Sequence, residues 1–309
     1  MAHSHTHEHA PTNFGKAFAI GITLNISYVV VGLIFGNLAH SLALVADAWH
    51  NLGDVLGLLL AWGASVLARR NPTMRRTYGL RRTSILAAMV NAVVLLIAVG
   101  GIAWEAVQRI VNPTPVADLT VMVVAAIGIL VNGLTAWLFM SGQKEDLNIR
   151  GAFMHMASDA VLSLGVVIAA IVIRFTGWSW LDPAMSLVLV AVITVGTWGL
   201  LREATNLALD GVPDGVDAHK VESYLAALPG VNNVHDLHIW GMSTTETALT
   251  VHLVKSEARI DDAFLSRVCS TLHDDFGIEH ATLQLENGDA ECSGCHPFSV
   301  QSEVVANHR

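Results

Sequence analysis

SLALVADAWHNLGDVLGLLLAW, residues 41–62, decides the fold class. The stretch has no Lys or Arg and two acids, Asp47 and Asp54, and it lies in an apolar run free of Lys and Arg between Lys16 and Arg69. A helix crosses the hydrocarbon core of a bilayer in about 20 apolar residues, so this run has room for two passes, with a turn near Asn37 to Ser41. The same reading extends outward. Residues 83–108 hold one acid, Glu105, and residues 110–143 hold only Asp118, with Pro113 and Pro115 breaking the helix between them. Residues 151–173 hold only Asp159 and residues 175–201 only Asp182, separated by a Trp- and Gly-rich turn from Thr176 to Pro183. Six membrane spans are predicted, at approximately 17–36, 41–68, 83–109, 117–140, 150–173 and 183–201. Six buried helices of a soluble protein would show polar faces, and these mostly do not.

Composition agrees: 53% of the 309 residues are hydrophobic and 14% charged, where soluble chains carry about 25% charged. The charge is unevenly spread. Residues 1–204 carry 12 basic and 10 acidic side chains, and residues 205–309 carry 5 and 16, so a near-neutral membrane half precedes an acidic soluble half. An acidic surplus gives no support to nucleic-acid binding, which needs clustered Lys and Arg. Residues 1–16 form a His-rich arm without the cationic start and apolar stretch of a signal peptide. Basic residues in short loops stay cytoplasmic. Arg69, Arg70, Arg75, Arg76, Arg81 and Arg82 fall between spans two and three, Lys144 and Arg150 between four and five, and Lys16 and Arg202 flank the bundle. Both termini are therefore predicted cytoplasmic, the membrane domain covering 17–204 and a soluble domain 205–309. In the soluble part VDAHKVESYLAAL and DDAFLSRVCSTLHDDF have helical periodicity, while VNNVHDLHIWGM, ETALTVHLVK and HATLQLE read as strands. That αββαβ order suits a small antiparallel sheet with helices on one face, an α+β domain.

An ionisable side chain at the bilayer centre costs at least ~2.5–3.5 kcal/mol, so those present have a site or pathway to serve. Here they repeat: His50 and Asp54 in span two, His155 and Asp159 in span five. The i, i+4 spacing puts each pair on one helix face. If the faces meet, two imidazoles and two carboxylates supply four N/O ligands, the number and character of a tetrahedral Zn²⁺ site. A lone pair of this kind would read as a local couple tying helices together; two at the same spacing, bordered by Gly53 and Ala157, favour a metal. Lack of thiolate disfavours Cu(I), and imidazole disfavours Mg²⁺ and Ca²⁺, but Zn²⁺, Cd²⁺, Co²⁺, Ni²⁺ and Fe²⁺ all remain open. Metal needs neutral His and ionised Asp, so protons compete for the same lone pairs, which suggests proton-coupled release during alternating access. Asp47, one turn before His50, reads as a supporting or access-path acid. Asn25, Asn91 and Asn132 read as interhelical hydrogen-bonders, and Glu105 with Arg109 as an ion pair.

These residues, together with YGLRRTSILAAMVNA, EAVQRIVNPTPV and VHDLHIW, resemble the zinc-transporting branch of the cation diffusion facilitator family over nearly the whole chain. The resemblance implies a homodimeric exporter of Zn²⁺ in exchange for H⁺, with His50, Asp54, His155 and Asp159 as transport site; compactness and the lack of targeting signals favour a bacterial inner membrane over that of an organelle. It implies a metallochaperone-like cytoplasmic domain that dimerises and binds regulatory metal, with His235, His252 and Glu286 at its metal positions. Some members have a further site between spans two and three; here RRNPTMRRTYGLRR offers no His, Asp, Glu or Cys, and that site is expected to be absent.

Other signals are weaker. His3, His5, His7 and His9 read as a metal-capturing arm, and Cys292 and Cys295, with His296, have zinc-ligand spacing short of a fourth ligand. His238, taken to lie on the other strand face from His235 and Trp240, reads equally well as packing. His219, His273 and His308 read as surface, His280 is left open, and Cys269 reads as core. Two other functions compete with transport: a membrane-embedded zinc hydrolase, which lacks HExxH and GxSxG here, and a membrane metal sensor, which lacks any output signature.

Overall fold

The computed structural model describes residues 14–68, 71–140, 147–255 and 262–287. Six long helices come first: α1 Phe14–Leu38, α2 Leu42–Ala68, α3 Thr83–Val111, α4 Asp118–Met140, α5 Leu147–Thr176 and α6 Leu181–Ala208. They match the six predicted spans, several running a turn or so further at their ends. Counted over described residues alone, α3 and α6 over their whole length, Asp118–Trp137 of α4 and Phe153–Thr176 of α5 are each long and apolar enough to cross a membrane. Their outer surfaces are apolar: Ile97, Trp104, Leu130 and Val195 are each at least 70% exposed. Water would penalise such a surface, and lipid covers it.

The described residues form two compact units, one within 1–60 and 90–199, the other within 61–89 and 200–309. In the first, Leu44, Leu95, Val99, Val121, Val166 and Leu189 build a common core from α2 to α6, with Tyr28 of α1 packed among them. Close approach of α1 and α2 rests on Gly32 and Gly36. A Cβ at Gly32 would stand 2.9 Å from Ala48 Cβ, and one at Gly36 would stand 2.9 Å from Val45 Cγ2. Small residues four apart bring backbones together where lipid supplies no hydrophobic drive between helices. The start of α2 is also fixed from a distance. Ser41 Oγ accepts from Leu44 N (3.2 Å) and donates to Asp182 of α6, whose other carboxylate oxygen accepts from Leu42 N at 2.7 Å. The acid thus satisfies open N–H groups where the helix dipole favours negative charge.

In the second unit, α7 Ala218–Ala226, β1 Val231–Gly241, β2 Thr247–Lys255, α8 Asp262–Phe276 and β3 His280–Asn287 follow the expected αββαβ order. Asp217 caps α7, accepting from the N–H groups of His219 and Lys220. The sheet order is β1-β2-β3. It departs from the expected antiparallel sheet: β1 and β2 are antiparallel, but β3 runs parallel to β2. The reason is the connection, because α8 carries the chain back across the sheet before β3 begins, as a parallel pair requires. Both helices cover one face, where Val221, Leu225, Phe264, Val268 and Leu272 meet Leu237, Ile239, Leu249, Val251 and Leu253. Cys269 is half-buried, at the edge of that stripe.

The α1–α2 contact is testable. Gly32→Leu is expected to lower the stability of the purified protein by ~1–3 kcal/mol, the usual cost of overpacking, seen as a lower thermal unfolding midpoint in detergent. An unchanged midpoint would contradict the close approach.

Candidate metal centres

Helix geometry sets His50 and Asp54 on one face of α2, and His155 and Asp159 on one face of α5. All four side chains converge. His50 Nε2 lies 3.0 Å from Asp159 Oδ1 and 3.9 Å from Asp54 Oδ2, and His155 Nε2 lies 3.2 Å from Asp54 Oδ2 and 3.7 Å from Asp159 Oδ2. A tetrahedral Zn²⁺ with bonds of about 2.0–2.1 Å requires donor atoms about 3.3–3.4 Å apart, and these four distances bracket that value. His50, Asp54 and Asp159 form the tightest group, their donor atoms all within 4.8 Å of one another. His155 closes it from the rim at 40% side-chain exposure, and its ring stands edge-on to that of His50, centroids 5.9 Å apart. Asp159 Oδ2 is buried without a hydrogen-bond partner among the described residues, so its lone pairs face the cluster uncompensated.

The surroundings hold α2 in place. Gly53 lets α3 approach, since a Cβ there would stand 2.8 Å from Leu95 Cδ2, and its carbonyl accepts from Asn91 Nδ2 at 3.3 Å. Asp47, 1% exposed, accepts from the Tyr28 hydroxyl and from Ser163 Oγ (3.4 Å), tying α1, α2 and α5 together one turn from His50. Asn91 thus bridges helices as expected. Asn132 does not: it is fully buried, and neither side-chain atom has a partner among the described residues. Glu105 and Arg109 form the expected ion pair at 2.5 Å, and Arg109 also donates to the His40 carbonyl. The roles of Tyr28, Ser163 and Asp182 were not foreseen. Ser163 lies one turn after Asp159, which is a usable signal, but nothing local marks the other two.

A second cluster sits on the sheet face that α7 and α8 leave uncovered. His235 Nε2 lies 2.9 Å from Glu286 Oε2, His252 Nδ1 lies 2.9 Å from Glu286 Oε1, and the two rings stand 5.1 Å apart. These three residues also hold donor atoms within 4.8 Å of one another, an N/O set that fits a divalent ion. Facing pairs explain it: His235 is opposite His252, and Glu286 lies on the neighbouring strand. The register then slips. His238 pairs with Thr250, and Asp236, at φ +52°, takes up the extra residue. The bulge overturns the expected placing of His238 on the face opposite to that of His235, because the extra residue brings both to one face; His238 shares the face of Trp240 by simple alternation, and it is exposed, 3.2 Å from Asp236 Oδ1. It also aims Asp236 at the cluster, Oδ2 lying 3.6 Å from His252 Nε2, a candidate ligand that strict alternation would miss. His219 and His273 are exposed as expected, and His280 is an exposed residue edge-on to Tyr78. His3, His5, His7, His9, Cys292, Cys295, His296 and His308 lie outside the described residues.

With both clusters located, comparison with known proteins gives the class. Residues 18–207 match the cation efflux transmembrane domain, and residues 213–288 match the cation efflux protein cytoplasmic domain. Similar proteins include the metal cation efflux system protein CzcD of Cupriavidus metallidurans, 36% identical over 99% of this chain and 98% of that protein. The zinc transporter ZitB of Escherichia coli is 37% identical over 100% and 98%. The cadmium, cobalt and zinc/H(+)-K(+) antiporter of Bacillus velezensis is 34% identical over 91% of each. The chain belongs to the cation efflux family, that is, the cation diffusion facilitators, and is a transporter and not an enzyme.

Burial pushes the Glu286 carboxyl up, but hydrogen bonds from His235 and Gln284 and the nearby His252 outweigh it and hold the group below the usual carboxylate range. A depressed carboxylate stabilises the fold above its ordinary value, and that contribution is lost as pH falls through the lowered one. Glu286→Gln is therefore expected to flatten the loss of thermal stability on acidification from the ordinary carboxylate range downward. An acid limb as steep as that of the parent protein would contradict the pairing.

Proposed function

We propose that this protein exports divalent metal ions, Zn²⁺ foremost, from the cytoplasm in exchange for protons, by alternating access about a site made of His50, Asp54, His155 and Asp159. One observation carries the reading: two His/Asp pairs from separate membrane helices meet with His–Asp distances of 3.0–3.9 Å, and His50, Asp54 and Asp159 hold donor atoms within 4.8 Å of one another. The relatives named as metal efflux, zinc transport and antiport proteins support it. Cd²⁺ and Co²⁺ are compatible with the same donors, since geometry and availability sort late divalent ions more than ligand type does.

The chemistry follows from the donors. Neutral imidazole and ionised carboxylate hold the ion; protonation of either removes a lone pair from it. Facing the cytoplasm, the site takes metal and gives up protons, and facing the far side, where protons are supplied, it does the reverse. Within this reading residues 1–16 deliver metal through His3, His5, His7 and His9, residues 17–204 translocate it, and residues 205–309 bind regulatory metal and form a homodimer. His235, His252 and Glu286 are the proposed regulatory ligands, with Cys292 and Cys295 contributing a further clip. The membrane is proposed to be a bacterial inner membrane because the relatives are bacterial, and both termini are placed in the cytoplasm on the strength of the basic loop residues.

Asp54→Ala and His155→Ala are each expected to abolish metal transport in cells lacking other exporters while the purified variants stay folded and dimeric. Transport at the parent rate in either variant would remove the proposed site.

A further inference from the structure

The loop between α2 and α3 contains no acid and six arginines, of which the four described fall into two kinds. Arg81 pairs with Glu246 at 3.1 Å, and Arg82 pairs with Asp210. Arg75 and Arg76 form no ion pair with a described residue. They sit in a tight turn where the Thr73 N–H donates to the Arg76 carbonyl (3.0 Å) and the Arg76 N–H donates back to Thr73 (2.9 Å). Every residue from Asn71 to Tyr78 is exposed, Met74 at the tip completely so.

We propose that this turn is a recognition site for anionic phospholipid headgroups. Since α2 ends at Ala68 and α3 begins at Thr83, the turn emerges at a membrane–water boundary. Two exposed arginines in succession offer guanidinium groups whose planar forks suit phosphodiester oxygens. Met74, fully exposed beside them, adds apolar surface that suits a headgroup layer and for which a soluble anion has no use. The near-neutral balance of residues 1–204, 12 basic against 10 acidic, gives the membrane half no broad attraction for anionic lipid, so the attraction has to be local. Setting topology needs no fixed backbone geometry, whereas the backbone of Arg75 and Arg76 lies in a hydrogen-bonded turn and neither side chain is in an ion pair with a described residue, unlike Arg81 and Arg82.

The test uses full-length purified protein in neutral detergent, titrated with short-chain phosphatidylglycerol or phosphatidylcholine, the thermal unfolding midpoint being followed. Phosphatidylglycerol is expected to raise the midpoint at lower concentration than phosphatidylcholine. Each arginine near an anionic surface contributes about fivefold in affinity, so Arg75→Gln/Arg76→Gln should shift half-saturation about 25-fold upward, and each single variant about fivefold. Lys220→Gln/Arg267→Gln, an equal charge change in the C-terminal domain, should leave it in place. Inorganic phosphate should not reproduce the effect. The proposal is overturned if the double variant responds as the parent does, if phosphatidylcholine or phosphate protects equally well, or if the double variant loses its dimer irrespective of lipid, which would assign the turn to a protein contact.

Discussion

Two carboxylates and two imidazoles among apolar helices are the constraint from which the membrane unit follows. None of them is stable there alone, since a buried charge without a partner costs several kcal/mol, and each finds its nearest partner on the other helix. The cross-helix distances, 3.0 Å from His50 to Asp159 and 3.2 Å from His155 to Asp54, are shorter than the within-helix ones of 3.9 and 3.7 Å. The cluster therefore belongs to the contact between α2 and α5. A sliding or tilting of one helix against the other alters all its cross-distances together, which is what the proposed alternating hold and release of an ion requires.

That contact is supported along α2. Asp182 and Ser41 fix its first turn, Gly32 and Gly36 admit α1, Asp47 receives Tyr28 and Ser163, and Gly53 takes the Asn91 amide on its carbonyl. Polar ties inside a lipid-covered bundle have no water to compete with, so they fix register where apolar packing alone is permissive. The soluble unit uses a different device. Its helices cover one sheet face, which leaves the other free to carry His235, His252 and Glu286.

Legibility in the sequence tracked how local each signal was. His50 with Asp54 and His155 with Asp159 were readable because i, i+4 spacing is a property of one helix, and the absence of charge over some 20 residues marks a span wherever it occurs. Asp182 was not readable as a partner of Ser41, because 141 residues separate them and only the folded bundle brings them together. The parallel run of β3 depends on how α8 crosses the sheet, and strand periodicity is blind to direction. Strict alternation misplaced His238 because the extra residue at Asp236 shifts everything after it by one. The expectations of a homodimer and of a regulatory metal came from the resemblance to cation diffusion facilitators, since spacing alone supplies neither.

The central claim is that His50, Asp54, His155 and Asp159 carry metal across the membrane against protons. Zinc flux into proteoliposomes under an imposed proton gradient, with internal pH followed in parallel, tests it most directly when the intact protein is set beside Asp159→Ala. The account predicts zinc entry with opposite proton movement in the intact protein and neither in the variant. Equal zinc flux in both, or zinc entry without proton movement in the intact protein, would contradict it.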